Sequence, residues 1–151
     1  MRLLSKRNLL FVLCCFCLNL GVAIDTITSS QSNKDPGNIV SNGSAFKLGF
    51  FSPVNSTNHY IGIWYGNISI FTVVWVANRE TPLNDSFGLL TISEDGNLVV
   101  LDGKKEILWS SNVTNSVANS IAQLLDLGNL VLQGKTTGTI IWESFQHSCP
   151  R

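Results

Sequence analysis

From Asp25 onward the chain alternates short apolar runs with polar breaks, and apolar residues never keep a helical spacing for more than a turn or two. AFKLGFF, YIGIWY, FTVVWVAN, GLLTIS, NLVVLD, EILWS, IAQLLD, NLVLQ and TIIWES are each bounded by Gly, Asn, Asp or Ser. Runs of this length and punctuation predict strands, so the expected class is all-β. Two stretches nearly duplicate one another: TISEDGNLVVLDGKKEILW (91–109) and AQLLDLGNLVLQGKTTGTIIW (122–142), each with a Gly-Asn-Leu-Val core followed by a Trp. A further Trp precedes both, and the steps Trp75 to Trp109 and Trp109 to Trp142 are 34 and 33 residues. A fixed period of this size marks a repeat architecture.

Within a repeat, Asp95-Gly96 lies between two strand runs and signals a tight turn, because glycine tolerates the positive φ that such turns need. Gly128 stands at the matching place before Asn129, and LDGKKE and QGKTTG read as the next turns. Each repeat then predicts a small antiparallel sheet ending on a Trp strand, with one apolar face that a lone sheet leaves in water. Three such sheets facing inward about an approximate threefold axis bury those faces together, with Trp75, Trp109 and Trp142 meeting near the axis as core. Strand alternation sends Leu98 and Val100 inward and turns Asn97, Val99 and Leu101 to the opposite face.

The N-terminus changes the picture of where the chain works. Arg2, Lys6 and Arg7 precede an apolar run from Leu9 to Ala23, with Gly21 and Ala23 at a plausible cleavage point, which is the form of a secretory signal peptide spanning 1–23. The run is shorter than the ~20 apolar residues that span a bilayer, and no later segment approaches that length. Removing 1–23 takes three of ten basic residues and none of ten acidic ones, for a net charge near −3. Without a basic face, nucleic acid and anionic membrane are excluded as partners. Of the four cysteines, Cys14, Cys15 and Cys17 leave with the leader, so Cys149 has no internal partner and stability rests on one apolar core. Asn42, Asn55, Asn67, Asn84 and Asn112 each open an N-glycosylation sequon, which fits an extracellular, apoplastic chain and predicts that these positions are at the surface.

FKLGFFSP, YIGIWY, VVWVANRETPL, LTISEDGNLVVLD, WSSN, LLDLGNLVL and WESF together resemble the bulb-type mannose-binding lectin domain. The resemblance is to the form at the outer end of plant S-domain (G-type lectin) receptor-like kinases and S-locus glycoproteins, and it covers about 24–145. It implies the β-prism II fold, three four-stranded sheets with pseudo-threefold symmetry, and metal-free binding of mannose-type glycans through Gln-x-Asp-x-Asn-x-Val-x-Tyr in each repeat. Laid on this chain, the second repeat gives Ser93, Asp95, Asn97, Val99 and Leu101, which keeps Asp, Asn and Val. The third gives Leu125, Leu127, Asn129, Val131 and Gln133, which keeps only Asn and Val; the first shows no recognisable version.

Carboxylate and amide groups suit sugar hydroxyls, and a Val methyl suits the apolar patch of the ring. A simple sugar held at millimolar affinity has only ~4 kcal/mol in total, and each hydrogen bond lost removes ~0.5–1.5 kcal/mol. Replacing Gln by Ser93 and Tyr by Leu101 therefore predicts weak or lost binding. The same Asp-Gly-Asn residues are also what a hairpin turn requires.

No cofactor or metal is expected, since the histidines are only His59 and His147 and no ligand cluster appears. With no nucleophile elbow, phosphate loop or kinase signature, no enzyme is expected either. Residues 146–151 depart from the family continuation, which predicts a less well closed prism and keeps a truncated, non-functional remnant among the readings. The others are a secreted carbohydrate-recognition module and a protein-interaction module, the latter serving a receptor-kinase ectodomain or self-association.

Overall fold

The computed structural model describes residues 24–115 and 117–146. The leader 1–23 and residues 147–151, with His147 and Cys149, lie outside the described residues. Among those described there are twelve strands and no helix: β1 (Thr26–Ile27), β2 (Asn33–Lys34), β3 (Asn38–Val40), β4 (Phe46–Phe51), β5 (Tyr60–Tyr65), β6 (Val73–Val76), β7 (Leu89–Ile92), β8 (Leu98–Leu101), β9 (Ile107–Ser110), β10 (Ser120–Leu124), β11 (Leu130–Gly134) and β12 (Ile140–Glu143). All nine runs read as strands from their alternation are strands.

They form three antiparallel four-stranded sheets, in the orders β3-β4-β5-β6, β2-β7-β8-β9 and β1-β10-β11-β12. Each repeat supplies three consecutive strands of one sheet. The fourth strand comes from the segment 26–40, which crosses all three sheets in turn: β1 pairs with β10, β2 with β7 and β3 with β4. The expectation that each repeat builds its own sheet is corrected in this respect. Strands of two or three residues carry too little alternation to be read, and they exist only because a long neighbour offers them an edge.

The alternation sorts as expected on the inner faces. Leu48, Phe50, Ile61 and Ile63 of the first sheet, Leu90, Ile92, Leu98 and Val100 of the second, and Ala122, Leu124, Leu130 and Leu132 of the third join one core cluster. At its axis the three tryptophans form a triangle of edge-to-face rings. Centroids lie 5.8 Å apart for Trp75–Trp109, 5.8 Å for Trp75–Trp142 and 5.6 Å for Trp109–Trp142, with interplanar angles of 81°, 64° and 67°. Aromatic pairs prefer this tilted geometry, each adding ~0.5–1.5 kcal/mol beyond its buried area.

A device repeated three times aims the rings. Register slips by one residue at Ile63/Trp64, Val100/Leu101 and Leu132/Gln133, immediately after the pairs Ile63↔Trp75, Val100↔Trp109 and Leu132↔Trp142. Such irregularities bend and twist a strand locally. Here they occur at matching places where the three Trp strands β6, β9 and β12 pair with their neighbours, beside the residue that must reach the axis.

Candidate functional site

The second repeat's hairpin is closed by the Ser93 amide donating to the Asn97 carbonyl at 2.9 Å and the Gly96 amide donating to the Ser93 carbonyl at 2.9 Å. Gly96 has φ +84°, and a Cβ on it would lie 2.2 Å from the Val117 carbonyl oxygen, so both conformation and space demand glycine. The third repeat reproduces this with Leu125, Asn129 and Gly128, the last at φ +83°.

On that scaffold Asp95 stands exposed at the turn. The Ser93 hydroxyl donates to its Oδ1, the Asn97 amide donates to the same oxygen at 3.1 Å, and the Asn97 side-chain amide donates to Oδ2 at 3.1 Å. The Ser93 hydroxyl, followed by the Asn97 donors, holds the Asp95 carboxyl below its ordinary value. Ser93, Asp95 and Asn97 are thus brought together as the sequence pattern implied.

Asn97, however, faces inward with its bonds. Its Oδ1 accepts from the Ser111 hydroxyl at 2.8 Å and the Val113 amide at 2.7 Å, and its Nδ2 also donates to the Val113 carbonyl at 3.3 Å. With the Asp95 bond, the side chain's two donors and its oxygen's two lone pairs are all engaged. Ser111 completes a clasp: its Oγ accepts from the Leu98 amide at 3.1 Å, while its own amide donates to the Leu98 carbonyl at 2.9 Å. Asn129, Ser144 and Leu130 repeat the arrangement. The Ser144 hydroxyl donates to Asn129 Oδ1 at 3.0 Å, and its Oγ accepts from the Leu130 amide at 3.0 Å.

In the first repeat Asn78, two residues past β6, takes the place of Ser111, its Oδ1 accepting from the Ile61 amide at 2.8 Å. The Asn that two repeats retain therefore stitches the start of a central strand to the chain leaving the Trp strand. Val99, on the outward side and apart from the core cluster, is only 2% exposed, so it offers a ligand almost no surface. Leu101 is half-buried.

The ladder supplies what sequence reading missed in the first repeat. Phe51 pairs with Tyr60 and Gly49 with Gly62, just as Thr91 pairs with Val99 and Ile92 with Leu98 one step from the Ser93–Asn97 closure. Phe51, Tyr60, Gly62 and Trp64 therefore occupy the places of Ser93, Asn97, Val99 and Leu101. The loop between them runs over 52–59, against 94–96 in the second repeat, and that insertion hid the correspondence. In the third repeat Leu127, fully outward, stands where Asp95 does. His59, set against Asp35 at 2.6 Å, ties the 52–59 loop to the segment between β2 and β3. Among the described residues no three His, Cys, Asp or Glu side chains form a metal-binding group.

Comparison with known proteins places these features. The family model described as D-mannose binding lectin matches residues 72–150. The chain is 54% identical over 143 residues to the Arabidopsis thaliana G-type lectin S-receptor-like serine/threonine-protein kinase SD1-13, a match that covers 92% of this chain and 17% of that protein. It thus spans about a sixth of the length of the curated relatives it matches. Among solved structures, a monomeric monocot mannose-binding lectin from Gastrodia elata superposes with a TM-score of 0.60 at 20% identity, covering 80% of this chain and 96% of that one. The Polygonatum cyrtonema lectin, solved in complex with a monomannoside, gives 0.55 at 19% identity, covering 85% and 100%. These likenesses establish the β-prism II fold.

Proposed function

The chain belongs to the bulb-type D-mannose binding lectin family, in the form carried by plant S-receptor-like kinases, and from that premise we propose that it is a secreted carbohydrate-recognition module with one weak site. The site is the outward side of the 93–101 hairpin, and the observation that carries it is Asp95. This carboxylate is exposed, kept ionised, and fixed in direction by Ser93 and Asn97. A pre-oriented anionic acceptor is what adjacent sugar hydroxyls need, because charge-assisted bonds are the stronger ones. The Ser93 hydroxyl, its proton engaged by Asp95, offers a ligand only its oxygen as an acceptor. Asn97 and Val99 hold the hairpin's shape and contribute no free surface of their own. The reading assigns binding, not catalysis, and needs no metal or cofactor.

Passage through the secretory pathway is supported by the leader-like 1–23 segment and by the sequons, since Asn42, Asn55, Asn67, Asn84 and Asn112 are all exposed.

Titration with mannose and oligomannose tests the site through two variants. Asp95→Ala is expected to abolish saturation. Leu101→Tyr, which completes the aromatic end of the family pattern and leaves Ser93 on Asp95, is expected to tighten binding several-fold by adding one hydrogen bond worth ~0.5–1.5 kcal/mol. Absence of a saturable signal in both the parent and the Leu101→Tyr variant at roughly tens of millimolar sugar sinks the reading.

A second reading, a protein-interaction or self-association module, draws support from a cleft of about 440 Å³ between β6 and β9. The three tryptophans floor it and Arg79, Glu80 and Ser110 rim it, the aromatic and arginine setting in which interface anchors concentrate. A sedimentation coefficient independent of concentration, and unchanged by Arg79→Ala, counts against it.

A further inference from the structure

The outer face of the first sheet is unlike the other two. At the places of the polar pattern it carries Phe51, Tyr60 and Trp64, with Phe71 from the β5–β6 loop. Ring centroids are 5.9 Å for Phe51–Tyr60, 6.3 Å for Phe51–Trp64, 5.7 Å for Phe51–Phe71 and 5.3 Å for Trp64–Phe71. Gly62 makes the room, since a Cβ there would meet the Phe51 ring at 2.7 Å. The raft runs into the 66–72 loop, where Ile70 is 74% and Phe71 56% exposed. A shallow depression of about 220 Å³ between Phe51, Pro53, Tyr60, Val76 and Arg79 has one charged residue in its wall. Phe51, Tyr60 and Trp64 are half-buried and continue into the exposed Ile68, Ile70 and Phe71, and an apolar patch of this kind is normally covered by something.

Two of the five sequons point to what covers it: Asn55 lies in the loop at one margin of this face and Asn67 in the loop at the other, next to exposed Ile68 and four residues before Phe71. We propose that the occupant is the chain's own N-linked glycan on Asn67, whose core N-acetylglucosamine rings lie against Phe71 and Trp64. The faces of a pyranose ring are rows of C–H groups, and the acetamide methyl is apolar, so both pack on aromatic rings while the hydroxyl rim stays in water. A free sugar or protein ligand is the poorer fit. The raft offers few acceptors for hydroxyls, and a partner protein has to displace a glycan rooted in its rim.

The inference rests on the secretory reading above. The attachment transfers an oligosaccharide from a lipid-linked diphosphate donor: the Asn67 amide nitrogen bonds to the anomeric carbon, the glycosyl–phosphate bond breaks, the lipid diphosphate leaves, and the amide proton passes to solvent. The consequence is a self-capped first face, leaving ligand recognition to the 93–101 hairpin of the second sheet.

The test expresses the full chain in a glycosylating eukaryotic host, maps sequon occupancy by glycopeptide mass spectrometry, and compares parent, Asn67→Gln, Ser69→Ala and Asn112→Gln. All substitutions are on exposed loops, and tryptophan fluorescence verifies folding. Asn67 is expected to be occupied. Asn67→Gln and Ser69→Ala are expected to raise hydrophobic-dye fluorescence several-fold and to self-associate, Asn112→Gln to do neither, and Phe71→Ser in the Asn67→Gln background to suppress both effects. An empty Asn67 beside other occupied sequons overturns the proposal alone, as does Asn67→Gln behaving like Asn112→Gln. A chain with every sequon empty overturns the secretory reading and this proposal with it.

Discussion

Asn97 and Asp95 stand two residues apart in the same turn and do different work. Asn97 is 5% exposed and fully bonded, with two partners on the chain that leaves β9, so truncating it strands Ser111 and the Val113 amide. Asn97→Ala is therefore expected to cost about 2–4 kcal/mol in denaturant unfolding, several times the ~1 kcal/mol of an ordinary bond. Asp95→Ala is expected to leave the fold intact and to act on ligand binding. The acid behaviour of Asp95 follows from its lowered pKa. A group whose folded pKa lies below its unfolded value contributes stability that is complete above the unfolded aspartate value of ~3.9 and is lost as pH falls through the folded pKa. The difference in melting temperature between parent and Asp95→Asn should accordingly be constant above about pH 5 and close up only in the acid range below ~3.9. A difference that instead closes between neutrality and pH 5 contradicts the assignment.

Among the elements, the turns separate positions where glycine is obligatory from positions where it is merely absent. Gly96 meets two demands, positive φ and a carbonyl where a side chain would go, so Gly96→Ala is expected to cost at least about 2 kcal/mol by thermal melting. Lys105 adopts φ +64° in the following turn, where its amide donates to the Asp102 carbonyl at 3.0 Å. Lys105→Gly relieves the left-handed strain and loosens the unfolded chain by a similar amount, so the expected change is within about 1 kcal/mol of zero. The LDGKKE turn was legible from its composition. That the strained residue is Lys105, two places after the glycine, was not, because turn type follows the register of β8 and β9 rather than the glycine alone.

For the whole molecule the tryptophan triangle is the joint between sheets. Removing one ring opens a cavity on the axis and takes two edge-to-face contacts from the other two. Trp142→Ala is expected to lose about 3–5 kcal/mol and to broaden or abolish a single cooperative transition, since all three sheets share that contact. Trp64→Ala, on the outer raft, is expected to cost much less. Urea titrations of the two variants, followed by far-ultraviolet circular dichroism, separate them.

Strand alternation and the Trp period were enough to fix the class, the nine long strands, the inward set and the convergence of Trp75, Trp109 and Trp142, because burial of one face dictates which residues are apolar. The candidate site was half legible. Ser93, Asp95 and Asn97 lie within five residues and meet through a local turn, whereas Ser111 and Val113 reach Asn97 only after β9 has paired. Three things were decided by the tertiary structure alone. The short strands β1, β2 and β3 borrow their order from neighbours; the register slips beside each Trp exist only between paired strands; and the correspondence of Phe51, Tyr60, Gly62 and Trp64 with Ser93, Asn97, Val99 and Leu101 is carried by ladder register across an insertion. Local spacing records what a residue does within its own turn, and long-range pairing decides what it does across the sheet.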